Sequence, residues 1–62
     1  MKIVKRLRKG LIIAEYSDKE AAERGYRYGI FTKDEYECGV GRRSPEWETD
    51  SYLEAVEWAE SY

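Results

Sequence analysis

The 62-residue sequence has no histidine, a single cysteine (Cys38) and a single proline (Pro45). One cysteine closes no intramolecular disulfide, and without histidine it has no companion for a Cys/His metal site. Cys38 falls in a predicted strand between Glu37 and Gly39 with no base beside it, so it reads as a small packing residue and not a nucleophile. Its unpaired thiol fits a reducing compartment. The longest apolar run, Leu11-Ile12-Ile13-Ala14, is far too short to span a bilayer. The basic start, Met1 to Lys9, is followed by neither the apolar region nor the cleavage site of a secretion signal. The expected location is the cytoplasm, with no membrane partner. No phosphate-cradling glycine loop or nucleophile–base motif occurs, and neither a metal nor a cofactor is expected.

Lys and Arg are also missing from the whole of residues 44–62, which carry six carboxylates. Residues 1–10 are the converse, with Lys2, Lys5, Arg6, Arg8 and Lys9 and no acid. The net charge of −2 therefore hides a strong asymmetry between the ends. One explanation is that the two ends lie together and neutralise each other. A chain this short makes one domain, residues 1–62, with a thin core. Disulfide and metal being closed to it, self-association as a homodimer is the stabilising route left open.

Local patterns predict an α+β fold. Residues 2–7 alternate imperfectly, as a Lys-bearing edge strand does. Arg8-Lys9-Gly10 forms a turn, and residues 11–16 a central strand paired with the first as a hairpin. Ser17-Asp18-Lys19-Glu20 has the pattern of a capping box, with Gly25 where a helix ends, which predicts a short helix over residues 18–24 or a wide loop. Residues 26–32 read as a third strand, with Tyr26, Tyr28 and Ile30 on one face. Lys33-Asp34-Glu35 reads as a turn, and residues 36–41 as a fourth strand with Tyr36, Cys38 and Val40 on one face. After Pro45, residues 46–49 are an irregular crossing or a short edge strand. A final helix starts near Asp50 or Ser51, with Ser51 and Glu54 as a second capping box. Leu53, Val56 and Ala59 give its packing face, widened by Tyr52, Ala55 and Trp58. The expected product is a small antiparallel sheet of about four strands with one C-terminal helix packed on a face.

Candidate functional residues follow from the charge and the aromatics. Glu54, Glu57 and Glu60 sit on a surface helix beside no recognisable apolar pocket, so acid–base catalysis is not expected. Their face gains no i,i+4 pairing with Lys or Arg, and acids near a helix C-terminus oppose the macrodipole. Nine aromatics exceed what so small a core needs, and Tyr and Trp are favoured at interface hot spots. Trp47, between Glu46 and Glu48, is the leading contact residue, while Trp58 reads as core. The candidate partner-binding set is Glu46, Trp47, Glu48, Asp50, Glu54 and Glu57, facing a host protein with a basic surface. An alternative is a nucleic-acid-binding module built on the basic hairpin with Lys2, Lys5, Arg6, Arg8 and Arg43. A second alternative is a sponge that encloses an anionic nucleotide signal at a dimer interface.

In brevity, aromatic richness and the all-acidic segment Glu46–Glu60 with Trp47, Tyr52 and Trp58, the chain resembles small phage-encoded anti-defence proteins such as anti-CRISPR proteins. The resemblance is one of overall character, with no motif shared. It implies a non-enzymatic inhibitor, acting in the host cytoplasm, that binds a defence or nucleic-acid-handling protein, with carboxylates standing where nucleic-acid phosphates would lie. The basic segment Lys2–Lys9 departs from a whole-surface nucleic-acid mimic and confines any mimicry to one face.

Overall fold

The computed structural model describes residues 1–38 and 44–62. Among these, β1 (Lys2–Arg6), β2 (Leu11–Glu15), β3 (Tyr28–Thr32) and β4 (Trp47–Thr49) form one antiparallel sheet in the order β1-β2-β3-β4. Helices α1 (Asp18–Arg24), α2 (Lys33–Glu37) and α3 (Tyr52–Ser61) complete the α+β domain, and a 3-10 turn at Arg8–Gly10 joins β1 to β2.

The sheet is covered on both faces. On one, Leu11, Ile13 and Ile30 pack with Ala55 and Ala59 of α3, flanked by Val4, Leu7, Tyr28, Val56 and Trp58. On the other, Ala14, Tyr16 and Phe31 pack with Met1, Ala21 of α1 and Tyr36 of α2. Strand β2 lies between the two layers, and Leu11 to Ala14 are all buried. Fully burying a Leu or Ile side chain contributes roughly 1.5–3 kcal/mol, so this uninterrupted apolar run is the main stabilising element of the chain. The register of β1 against β2 shifts between Ile3 and Lys5, a bulge at Val4. That bulge is why the alternation along β1 looks imperfect: the extra residue offsets the alternation beyond it, so that Val4 and Leu7, three positions apart, both reach the α3-side core.

Side-chain caps set the helix starts. Ser17 accepts from the Glu20 N–H (3.2 Å), and Glu20 accepts from the Ser17 N–H (2.9 Å). The helix reading of residues 18–24 is therefore the right one, and Gly25 closes it by donating to the Ala21 carbonyl. Thr32 and Glu35 form the same reciprocal box at 3.1 and 2.8 Å. This box overturns the predicted strand at residues 36–38. Thr32 ends β3 and caps α2 at once, so the chain turns into helix through Glu37, and Tyr36 comes back edge-on to Phe31 with ring centroids 5.9 Å apart. Residues 39–41 of that predicted strand, with Val40, lie outside the described residues. Cys38 does not pack in a strand; it is exposed at the C-terminal end of α2. The fourth strand is instead Trp47–Thr49, the short edge strand.

Helix α3 forms half of its predicted capping box. Ser51 accepts from the Glu54 N–H (3.2 Å), but the Glu54 carboxylate receives the Thr49 hydroxyl (2.7 Å), and Thr49 also accepts from the Ser51 N–H (3.2 Å). Its packing stripe is Ala55 and Ala59, whose small side chains let the helix lie close on the sheet. Leu53, predicted to be core, is 73% exposed. Two residues from Ala55 is about 200° around a helix, which puts Leu53 on the outer side.

Glu20 also receives the Met1 ammonium at 2.7 Å. That contact first, and the Ser17 N–H next, hold its carboxyl down at about 2. A depressed carboxyl stabilises the fold above its ordinary value of 4.5 and loses that contribution as pH falls towards about 2. Thermal unfolding followed from pH 7 to pH 2 should show this loss in the lower part of the range. Glu20→Gln should flatten it, and an unchanged pH profile in that variant would refute the assignment.

Candidate partner-binding surface

Strand β4 alternates, and its two faces do different work. Trp47 and Thr49 stand on the α3 side, Glu48 on the other. The Trp47 ring lies parallel to Trp58, with centroids 5.6 Å apart and planes 4° apart. Trp58 in turn meets Tyr62 at 5.3 Å and 39°. Residues 58 and 62 are one turn apart on α3 and so project from the same side. The result is a three-ring ladder across the β4 edge. Trp47 is 36% and Tyr62 53% exposed, while Trp58 is half-buried between them and against the core.

One carboxylate, that of Glu46, meets the ladder directly. Glu46, Asp50, Glu54 and Glu57 are all exposed. The Tyr62 hydroxyl donates to Glu46 at 3.3 Å, and the negative charge of Glu46 pushes the phenol above its ordinary range. Glu46 is raised, first by its hydrogen bond to Glu35 and then by the charge of that carboxylate. Burial pushes Glu35 up, but the hydrogen bonds from Glu46 and from the Thr32 N–H outweigh it and leave Glu35 below its ordinary value. Asp50 accepts from the Arg27 N–H (3.1 Å), tying the chain between β4 and α3 to the start of β3. Among the described residues, nothing holds the Glu57 carboxylate.

Five of the six predicted partner-binding residues therefore share the α3 side or its margin, and Glu48 does not. Its carboxylate accepts the buried Tyr16 hydroxyl at 2.7 Å and lies 3.3 Å from Arg24, whose guanidinium also stands over the Tyr16 ring at 4.9 Å. Glu48 is occupied by the fold. Trp58 is less interior than predicted, a rung of the ladder as well as a core neighbour. Tyr62, Leu53 and Tyr52 are exposed apolar residues missed as surface candidates; Tyr52 is 37% exposed and tilts against Tyr28 at 5.8 Å. The 53–57–60 spacing of Leu53 with Glu57 and Glu60, one helical stripe shared with two acids, was the available signal for Leu53.

The basic residues divide. Lys5, Arg6 and Arg8, with Lys9, line one groove at the far edge of the sheet. Lys2 is at the other end of β1, 3.9 Å from Glu15. Arg43 lies outside the described residues. With β1 and β4 at opposite edges, the charged ends of the chain do not neutralise each other strand to strand; among the terminal acids, Glu60 lines the basic groove. Among the described residues no group of three Cys, Asp or Glu side chains is placed to hold a metal ion, and no helix is long and apolar enough to cross a membrane.

Compared with protein-family models, curated proteins and solved structures, the chain matches none.

Proposed function

We propose that the protein is a non-enzymatic interaction protein whose β4–α3 edge docks on a basic surface of a host defence or nucleic-acid-handling protein, in the manner of the small phage-encoded inhibitors it resembles. The observation that supports this reading is the ordered Trp47–Trp58–Tyr62 ladder left at the surface, with Glu46 against Tyr62 and Asp50, Glu54 and Glu57 exposed on the adjoining β4–α3 segment. Stacked rings offer a large, rigid contact area whose side-chain entropy is already spent, which lowers the cost of binding. Glu46, Asp50, Glu54 and Glu57 set the sign of the partner and steer its approach, an effect that weakens with salt. Glu48 is excluded from this contact set and Tyr62 added to it.

The test is capture from host lysate with the wild-type chain, followed by affinity measurement on the captured protein. Trp47→Ala should weaken that affinity by about tenfold or more, and Glu57→Lys should lower the association rate while leaving the fold intact. Lys2→Gln, at the opposite edge, should leave the affinity unchanged. Equal affinity for wild type, Trp47→Ala and Glu57→Lys would refute the reading.

A further inference from the structure

The opposite edge of the sheet carries a second surface, independent of the acidic one. Strand β1 returns into β2 within four residues, Leu7–Gly10, and the Leu7 N–H closes the reversal on the Leu11 carbonyl at 2.9 Å. Lys9 and Gly10 both take positive φ (57° and 75°), which makes so tight a return practicable. Sequence and turn together bring four cations, Lys5, Arg6, Arg8 and Lys9, around one groove of about 390 Å³ beside the last turn of α3. Leu7, Leu11 and Ala59 supply apolar walls. Glu60 is the acid in its lining, so four positive charges less one leave a net of three.

Three features point to an anionic ligand. Among the described residues none of the four cations is held in an ion pair, whereas Lys2, Arg24 and Arg27 each face a carboxylate. A concave wall with a net charge of one sign and apolar surfaces behind it focuses potential and strengthens each contact. The volume lies within the roughly 300–1,000 Å³ of small-ligand sites. No aromatic side chain lines the groove, so base stacking is not its mode of grip. A net of three positive charges in so small a space matches a ligand with several negative charges on adjoining groups, as a chain of phosphates has and a single carboxylate has not.

We propose that this groove binds a phosphate-bearing ligand through Lys5, Arg6, Arg8 and Lys9, with Glu60 limiting its affinity. Two probes distinguish the sources of that chemistry: inorganic tripolyphosphate, and a single-stranded oligonucleotide of about twelve nucleotides. Amide NMR titration of the full chain should shift signals in 6–11 and 59–62. Calorimetry should give an affinity that falls with salt, with a logarithmic slope of about −0.7 per phosphate for the oligonucleotide. Arg8→Gln with Lys9→Gln should weaken binding about tenfold, and Glu60→Gln should tighten it severalfold. Lys2→Gln, which removes one charge from the same strand outside the groove, should change it by less than about twofold. Much tighter oligonucleotide binding identifies a polynucleotide backbone, and comparable binding of both probes a free phosphorylated compound; each supports the proposal. Failure of both probes to shift the groove amides would overturn it, as would an effect of Lys2→Gln equal to that of the groove variants.

Discussion

Gly29→Ala is expected to cost about 3 kcal/mol, between a third and all of the stability of a chain of this size. A 62-residue domain has roughly 3–9 kcal/mol in all at ordinary stability per residue. Gly29 sits in β3 opposite Ala14 and Glu48, beneath the ring of Tyr16. A Cβ at this position would overlap the Tyr16 hydroxyl, and would stand 2.8 Å from its ring carbon Cζ and 2.9 Å from Cε1 of Phe31. Neither ring can swing away cheaply. Tyr16 is 1% and Phe31 0% exposed, and the Tyr16 hydroxyl is held by Glu48. Overpacking of a core typically costs 1–3 kcal/mol, and here it also breaks a buried hydrogen bond. The measurement is the urea midpoint at unchanged slope. Tyr16→Phe supplies a control: alone it should destabilise, but in the Gly29→Ala background it removes the nearest clashing atom and should recover about 1 kcal/mol. A Gly29→Ala chain within about 0.5 kcal/mol of wild type would show that the sheet yields where the packing says it cannot.

The position of Gly29 also shows where sequence reasoning stops. Its place in a strand and its face are readable from alternation, yet nothing in the pattern says that a tyrosine thirteen residues earlier lies across it. Elements fixed by local chemistry were legible: the apolar β2, the Ser17 box and the Ser51 cap each follow from a few neighbouring residues. The box at Thr32 is just as local, but it lies at the end of a β-branched strand and before alternating Tyr36, Cys38 and Val40, so the two-residue period was read and the cap was not. In α3 the large Leu53 drew the packing face towards itself, although Ala55 and Ala59 define it, because small residues register weakly in a hydrophobic pattern while permitting the closest approach. The sequence alone leaves residues 46–49 between crossing and strand, and so does not divide the acids from Glu46 to Glu57 between faces. Once they are strand, the period of two sends Glu48 to the face opposite Trp47.

That separation predicts different phenotypes for two adjacent residues. Glu48→Ala should cost about 2–3 kcal/mol of stability, since it strips the acceptor from a buried phenol and an ion-pair partner from Arg24. Most of this comes from the orphaned hydroxyl, because the Arg24 and Glu48 side chains keep 31% and 22% of their exposure and a pair so placed contributes little. Glu48→Gln, which retains an acceptor for Tyr16, should cost only about 1 kcal/mol. The alkaline side of the stability profile should separate the same two roles. Burial first, then the Glu48 hydrogen bond and charge, hold the Tyr16 phenol well above its ordinary value of 10.0. A raised phenol stabilises the fold below that value and loses the contribution as pH rises beyond it. Glu48→Gln removes the charge and should make that alkaline loss shallower. Trp47→Ala should show the other balance: a loss of about 1 kcal/mol in stability, from the stack on Trp58, and a large loss of partner affinity in the folded fraction. Corrected for the folded fraction, Glu48→Ala should bind the partner as wild type does. If Glu48→Ala instead folds normally and loses the partner, Glu48 belongs to the contact surface and its bond to Tyr16 is incidental.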